Sequence, residues 1–130
     1  MKVMKVAVLG GVLLLASAVH AGAAAAAAAP GAELTLSVTA QGSDTPATAR
    51  LTCDPDGGTH PAPKAACDAL RAVDGRPELL TPAPGTVCVG LYDPRTVQIT
   101  GHWQGREVSY EATFGNECHL RAATGPIFAF

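Results

Sequence analysis

Four segments of the chain alternate apolar and polar residues, the pattern of a strand with one buried face. They are residues 33–39, 47–53, 96–103 and 106–114. Turn-forming residues separate the first two segments, and Gln104-Gly105 separates the last two. Because a two-residue link with a glycine suits a tight hairpin turn, the pattern predicts two antiparallel β-hairpins.

Between and after these hairpins the spacing of apolar residues becomes helical. A helix is predicted for residues 65–73, since Pro63 suits a first helical turn and Gly75 is a typical end signal. Its buried face is expected to consist of Ala66, Leu70 and Val73. A short helix is predicted for residues 116–122, before Gly125-Pro126, and a last strand for residues 127–130. Residues 54–63 and 76–85 are predicted to be irregular. Five strands with one or two helices favour an α+β domain in which helices cover an antiparallel sheet.

The first thirty residues have the features of an export signal. Lys2 and Lys5 precede an uncharged apolar run, and Val19-His20-Ala21 supplies the small residues that signal peptidase reads. The run, residues 6–19, is shorter than the roughly 20 residues needed to span a bilayer. We predict a secreted protein that does not enter the membrane in its mature form. Its parts are a signal peptide at residues 1–21, with cleavage sites extending to residue 30, a flexible alanine-rich stretch at residues 22–32 and one domain at residues 33–130. The alternative is an uncleaved anchor lengthened by the alanine tract.

The net charge and the cysteine content limit the classes of partner and the kind of cross-link that the chain can have. Without residues 1–21 the chain has 9 − 2 = 7 basic and 11 acidic residues, a net charge of −4. Nucleic acid is therefore excluded as a partner, since binding it requires clustered lysine and arginine. In an exported chain an even number of cysteines predicts disulfides. The four cysteines are Cys53, Cys67, Cys88 and Cys118, they include no C-x-x-C motif, and three pairings are open.

Serine and histidine positions show no catalytic or metal-binding pattern. No serine lies in a G-x-S-x-G elbow, and Ser109 falls on the polar side of a predicted strand. The histidines form neither an H-E-x-x-H motif nor a pair four residues apart. His60 is expected to form a structural hydrogen bond in a loop. We predict that the protein is not an enzyme and uses no cofactor and no metal.

Residues 87–94 form the most informative segment. They connect a proline-rich loop to a predicted strand, and Cys88 anchors one end. An extended, tethered segment can occupy a protease cleft as a substrate does. Because the segment is already ordered in the free protein, little conformational entropy is lost on binding. If the cut ends stay in place, the bond is resealed before water releases the acyl-enzyme. The alternative is a surface loop whose disulfide serves stability alone.

The sequence also resembles the Streptomyces subtilisin inhibitor family across nearly all of residues 34–130. The matching residues are Leu51-Thr52-Cys53-Asp54-Pro55, Gly58-Thr59-His60-Pro61, Ala66-Cys67, Leu70, Cys88, Tyr92-Asp93-Pro94, Gly101, Trp103, Gly105, Val108, Tyr110, Phe114, Asn116, Cys118 and Phe128-Ala129-Phe130. The resemblance implies a five-stranded antiparallel sheet covered by two helices. It also implies the disulfides Cys53–Cys67 and Cys88–Cys118 and a homodimer formed through the sheets.

As to function, the resemblance implies a secreted inhibitor of an extracellular, subtilisin-like serine protease. In the family the reactive bond lies two residues after the third cysteine, which is Gly90–Leu91 here. The protease-contacting loop would then comprise Val87, Cys88, Val89, Tyr92 and Asp93 besides the bond itself. Asn116 matches the family asparagine that supports this loop.

Gly90 departs from the family, whose members usually carry a long side chain there. Losing that side chain costs about 1.5–3 kcal/mol of burial, and glycine adds about 0.5–1 kcal/mol of flexibility. Together these amount to about 30- to 1000-fold in affinity. Three hypotheses follow: a weakened inhibitor, an inhibitor of a protease with a small specificity pocket, and a secreted interaction domain that has lost serine-protease inhibition. The last would bind another partner, such as a metalloprotease or a cross-linking enzyme.

Overall fold

The computed structural model of the protein describes residues 10–11, 17–19, 22 and 29–130. The predicted signal peptide, residues 1–21, and the alanine-rich stretch, residues 22–32, lie largely outside the described residues, and both stay predictions. Within the described part of the chain, no helix has the length and apolar character needed to cross a membrane.

A five-stranded antiparallel sheet forms the frame of the domain. Its strands are β1 (Ala32–Ala40), β2 (Ala47–Cys53), β3 (Gly57–Gly58), β4 (Arg95–Trp103) and β5 (Arg106–Phe114). The strand order across the sheet is β3-β2-β1-β4-β5. Leu36 of β1 pairs with Ala49 of β2 and with Ile99 of β4, so the buried positions of three strands face the same side. Both predicted hairpins, β1–β2 and β4–β5, are confirmed.

The fifth strand does not lie where the sequence pattern predicts it. Residues 127–130 form a turn followed by irregular chain, and Ile127 and Phe128 are buried in the core instead. The fifth strand is Gly57–Gly58, inside a segment predicted to be an irregular loop. A Cβ on Gly58 would lie 2.3 Å from the carbonyl oxygen of Arg50, so this pairing requires glycine. A two-residue glycine strand has no alternation of apolar and polar side chains by which to predict it.

Two helices pack on the inner face of the sheet. They are α1 (Pro63–Arg71) and α2 (Glu117–Thr124), and the 3₁₀ turn Pro77–Leu79 follows α1. After α1 the N–H of Gly75 donates to the carbonyl of Leu70 at 2.8 Å, which confirms the predicted end signal. Asn116 caps the start of α2, and Gly125 ends this helix as predicted.

The hydrophobic core lies between the sheet and the helices. Its buried members are Ala32, Leu34, Leu36, Leu51, Cys53, Ala66, Cys67, Leu70, Val97, Ile99, Trp103, Val108, Leu120, Ile127 and Phe128. The disulfide Cys53–Cys67 is fully buried within this core and joins β2 to α1. Of the residues predicted to line the inner face of α1, Ala66 and Leu70 are buried, whereas Val73 lies beyond the helix and is half-buried.

His60 connects the loop before α1 to the carboxyl-terminal residues. Its buried ring lies with Nε2 2.9 Å from the carbonyl oxygen of Ile127, while Nδ1 accepts the N–H of Ala62 at 2.9 Å. An Nδ1 that accepts a hydrogen bond requires the tautomer in which Nε2 carries the proton. The structural hydrogen bond predicted for His60 is therefore confirmed.

Candidate functional site

The candidate site is the tethered loop, residues 87–94, which leads into β4 without regular helix or strand. Its apolar side chains point away from the core. The exposed fractions are 91% for Val87, 78% for Val89, 69% for Leu91 and 74% for Tyr92. Because contiguous exposed apolar side chains are typical of contact surfaces, the loop is the best candidate for an interaction site among the described residues.

Both ends of the tethered loop are fixed to the rest of the domain. The disulfide Cys88–Cys118 joins its start to α2, with 5.7 Å between the two Cα atoms. Near its end, the N–H of Asp93 donates to the carbonyl of Gly115 at 2.9 Å. Pro94 is buried, and its carbonyl accepts the N–H of Gln41 at 3.1 Å. The middle of the loop is therefore exposed while its two ends are held.

Asn116 supports the middle of the loop from below. Its Nδ2 donates to the carbonyl of Val89 at 3.1 Å and to that of Leu91 at 2.8 Å. Its Oδ1 accepts the N–H of His119 at 2.9 Å, which is the N-cap hydrogen bond of α2. The Asn116 side chain is buried. Because its Oδ1 also caps α2, the helix fixes the position of the amide group. Asn116 thus holds the two carbonyls on either side of Gly90.

Gly90 presents main chain alone at the exposed centre of the loop. A Cβ on this residue would have no described atom within 4 Å, and its φ lies outside the left-handed region. The backbone at position 90 therefore does not require glycine through a left-handed φ, and a Cβ there has free space.

Arg95 supports the far end of the loop, a contact that sequence reasoning missed. Its guanidinium binds the carboxylate of Asp93 in a fork, with Nη1–Oδ1 at 2.7 Å and Nη2–Oδ2 at 2.9 Å. Nη1 also donates to the main-chain carbonyl of Asp93 at 3.0 Å. The hydrogen bond between the two side chains lowers the pKa of Asp93 and raises that of Arg95, and the attraction between their charges acts in the same directions. The i, i+2 spacing in an extended segment was the one signal for it, since such side chains share a face.

Two surface hollows flank the tethered loop. One, of about 250 Å³, lies beneath it and is lined by Val89, Leu91, Asp93, Arg95, Asn116, Glu117 and Cys118. The other, of about 360 Å³, lies between Tyr92 and residues 39–43 at the tip of the β1–β2 hairpin. The first shows that Asn116 and Arg95 share one space under the loop.

One group in the described residues has the ligand geometry of a metal site: Cys53, Asp56 and Cys67, whose ligand atoms lie within 4.8 Å of one another. Both cysteines are consumed by their disulfide, so no thiolate is available for a metal. This group therefore carries no metal chemistry.

Fold and site together define a small disulfide-bonded domain that displays a braced, exposed loop. The comparison with family models gives this class a name. Residues 15–116, more than half of the chain, match the family described as subtilisin inhibitor-like, and the chain belongs to that family. The family and the fold expected from the sequence, including both sequential disulfides, are confirmed.

Individual relatives are similar over most of the domain. Subtilisin inhibitor-like protein 5 of Streptomyces fradiae is 53% identical over 81 residues, which cover 62% of this chain and 76% of that protein. Trypsin inhibitor STI2 of Streptomyces longisporus is 49% identical over 81 residues, covering 62% and 56%. A chain from the crystal structure of Streptomyces caespitosus sermetstatin in complex with Bacillus licheniformis subtilisin superposes with a TM-score of 0.63 and 38% identity. That match covers 76% of this chain and 98% of the other.

Proposed function

We propose that this protein inhibits subtilisin-like serine proteases by placing residues 87–93 in the protease cleft as a substrate would, with Gly90–Leu91 as the reactive bond. The observation that carries the proposal is the pair of hydrogen bonds from Asn116 to the carbonyls of Val89 and Leu91. Further support comes from the family and from two relatives, one named as a subtilisin inhibitor-like protein and the other as a trypsin inhibitor. A chain of similar fold comes from a complex with subtilisin.

The mechanism follows from the restraints on the loop. The protease serine attacks the carbonyl carbon of Gly90, an ester forms, and the bond to the nitrogen of Leu91 breaks. In an ordinary substrate the amine then diffuses away and water hydrolyses the ester. Here Cys88–Cys118 holds one side of the cut, and Asn116 and the Asp93–Gly115 hydrogen bond hold the other. The amine of Leu91 therefore stays close to the ester and can re-form the peptide bond, which releases the serine.

The glycine at position 90 affects which proteases the loop is expected to inhibit. Without a side chain at this position, binding depends on the exposed side chains of Val89, Leu91 and Tyr92 and on the extended main chain. A large specificity pocket would be left unfilled. A weakened subtilisin inhibitor and an inhibitor of a protease with a small pocket both follow from this feature.

An inhibition panel tests the proposal. The mature protein is mixed with subtilisin, trypsin, chymotrypsin and an elastase-like protease, and residual activity is measured. We expect inhibition of subtilisin, of the elastase-like protease, or of both. Prolonged incubation is expected to yield a cut form whose new amino terminus is Leu91. Absence of inhibition of all four at micromolar concentration would contradict the proposal, and a different cut site would contradict the assigned bond.

The competing function is a secreted interaction domain that binds a metalloprotease or a cross-linking enzyme. The glycine at position 90 is the observation in its favour, because it removes the side chain that would fill a specificity pocket. Gly90→Pro separates the two functions. If the loop binds serine proteases, this variant loses their inhibition; if another surface binds the partner, partner binding persists.

Secretion, a homodimer and the absence of catalysis complete the proposal. The family is one of inhibitors, so no catalytic step of its own is assigned to the chain. Secretion is supported by the pattern of residues 1–21 and by two disulfides that use all four cysteines. The exposed outer face of the sheet is available for pairing with a second copy. Light scattering on the mature protein tests the dimer, and a monomer mass at micromolar concentration would contradict it.

A further inference from the structure

The two sides of the reactive bond are held by different means. Upstream of Gly90, the disulfide at Cys88 provides a covalent link to α2. Downstream, residues 91–94 have no disulfide, and after cleavage of the bond their only covalent attachment to the domain would be through β4. Non-covalent contacts must therefore keep the amine of Leu91 in place during the lifetime of the acyl-enzyme.

Among the contacts described for residues 91–94, Arg95 supplies the charged one. The fork to Asp93 combines a charge-assisted hydrogen bond from Nη2 to Oδ2 at 2.9 Å with an ion pair of 2.7 Å between Nη1 and Oδ1. Nη1 also donates to the main-chain carbonyl of Asp93 at 3.0 Å. Such bidentate pairs fix geometry better than single hydrogen bonds do. The Arg95 side chain is 20% exposed, against 54% for Asp93, so the guanidinium is the better-packed partner. Because Arg95 is the first residue of β4, the sheet supplies the rigid end of this contact.

We propose that Arg95 is a positioning residue that holds the downstream side of the reactive bond, so that the cut inhibitor is resealed rather than hydrolysed. This proposal rests on the proposed function of the loop. Arg95 acts through Asp93 and the main chain of residues 91–93 and is not assigned a contact with the protease. Asn116 holds the carbonyl of Leu91, and Arg95 fixes the chain two residues further on.

The proposal predicts a change in the fate of the reactive bond. Without the Arg95 fork, the segment after the cut samples more positions, and the amine of Leu91 attacks the ester less often. Water then competes more effectively. The equilibrium between intact and cut inhibitor shifts toward the cut form, and the cut form accumulates faster in the presence of protease.

The test compares three single variants and one double variant of the mature protein with the wild type. Arg95→Gln removes the charge and the fork, and Arg95→Lys keeps the charge without the fork. Arg50→Gln is the matched control, because Arg50 is also a strand arginine in a single ion pair, with Glu33 at 3.0 Å, and lies on β2. Each protein is incubated with a catalytic amount of the protease that the wild type inhibits, starting from intact and from cut inhibitor. Mass spectrometry then gives the ratio of the two forms.

We expect Arg95→Gln to raise the ratio of cut to intact inhibitor by about tenfold. Arg95→Lys should restore part of the wild-type ratio, and Arg50→Gln should leave it unchanged. Adding Asp93→Asn to Arg95→Gln should cause no further rise, since both changes remove the same contact. The melting temperature of each variant identifies any general loss of structure.

Two outcomes are decisive for Arg95. An Arg95→Gln protein with the wild-type ratio would overturn the proposal. So would an Arg50→Gln protein that matches Arg95→Gln, because the effect would then not be specific to the loop. If the wild-type protein inhibits no protease, the proposed function fails, and this result is distinguishable because it appears before any variant is compared.

Discussion

At position 90 the main chain alone lies between the exposed side chains of Val89 and Leu91. Asn116 holds the carbonyls of these two neighbours. The loop is therefore already ordered, and a new side chain at position 90 adds little to the entropy cost of ordering it. Space is available as well, since a Cβ there would have no described atom within 4 Å. We therefore expect the identity of this residue to affect specificity separately from the shape of the loop.

This separation leads to a prediction for Gly90→Met. The methionine side chain would fill the specificity pocket of subtilisin and gain about 1.5–3 kcal/mol from burial. Replacing glycine also reduces the flexibility of the free loop. We expect the inhibition constant against subtilisin to fall by at least tenfold, measured with a peptide substrate.

Ala65→Met is the control for this prediction, because it adds the same side chain at an exposed position on α1. It should leave the inhibition constant unchanged. If Gly90→Met also leaves it unchanged, Gly90–Leu91 is not the reactive bond.

The residues of the loop illustrate what the sequence could and could not predict. The reactive-bond position at residue 90 and the supporting role of Asn116 are predictions from the register of the family, in which the cysteines fix the numbering. The fork between Arg95 and Asp93 was not identified, because it depends on the exact residue at which β4 begins. Alternation of apolar and polar residues predicts the ends of a strand only to within a few residues. An error of that size changes which side chains near the start of β4 lie next to each other.

Among the elements, α1 is fixed to the sheet by charge as well as by apolar packing. Arg71 in its last turn contacts three carboxylates, those of Asp54, Asp56 and Asp68. The hydrogen bond from Arg71 lowers the pKa of Asp56 below its ordinary value near 3.8. The pKa of Asp68 is also lowered, first by Lys64 and then by Arg71. A carboxyl group with a lowered pKa in the folded state stabilises the fold above its ordinary pKa, and this stabilisation is lost as the pH falls through the lowered value.

Arg71→Gln is therefore expected to change how stability depends on pH. In the wild type, the free energy of unfolding should fall as the pH drops from about 5 to about 2. In Arg71→Gln, stability at neutral pH should be lower and the fall over the same interval shallower. Urea titrations at several pH values measure both quantities. Arg50→Gln, which breaks an exposed ion pair on β2, is the control and should keep the wild-type slope. An unchanged slope in Arg71→Gln would contradict this role for Arg71.

The hairpins and the fifth strand show why some elements are predictable from sequence and others are not. In the β4–β5 hairpin, alternating side chains define both strands, and Gln104 and Gly105 adopt φ of 46° and 80°, as a tight turn with the twist of the strands requires. Pattern and turn agree, and the predicted limits of β5 match the observed ones. Gly57–Gly58 instead pairs with β2 because its backbone can approach closely, a tertiary property that local patterning does not contain.

At the scale of the whole molecule, the two disulfides serve different parts of the fold. Cys53–Cys67 is fully buried and links α1 to β2 in the core. Cys88–Cys118 lies at the surface, where Cys118 is exposed and Cys88 partly so, and links the tethered loop to α2. The sheet and the buried disulfide do not depend on the surface disulfide for their own contacts. Selective reduction of the surface disulfide should therefore abolish inhibition while the domain stays folded.

Limited reduction tests this separation. Under native conditions we expect a low concentration of thiol reductant to reach the disulfide of the exposed Cys118 first, whereas Cys53 and Cys67 are buried and become accessible only on unfolding. We expect Cys88–Cys118 to be reduced first, with loss of inhibition and rapid cleavage at Gly90–Leu91, while circular dichroism still shows the folded sheet. Alkylation and mass spectrometry identify which thiols are free at each stage. If inhibition persists after Cys88 and Cys118 are alkylated, Asn116 and Arg95 suffice to hold the loop and the disulfide is not needed for resealing. If inhibition is lost only when the sheet unfolds, the loop and the core form one cooperative unit.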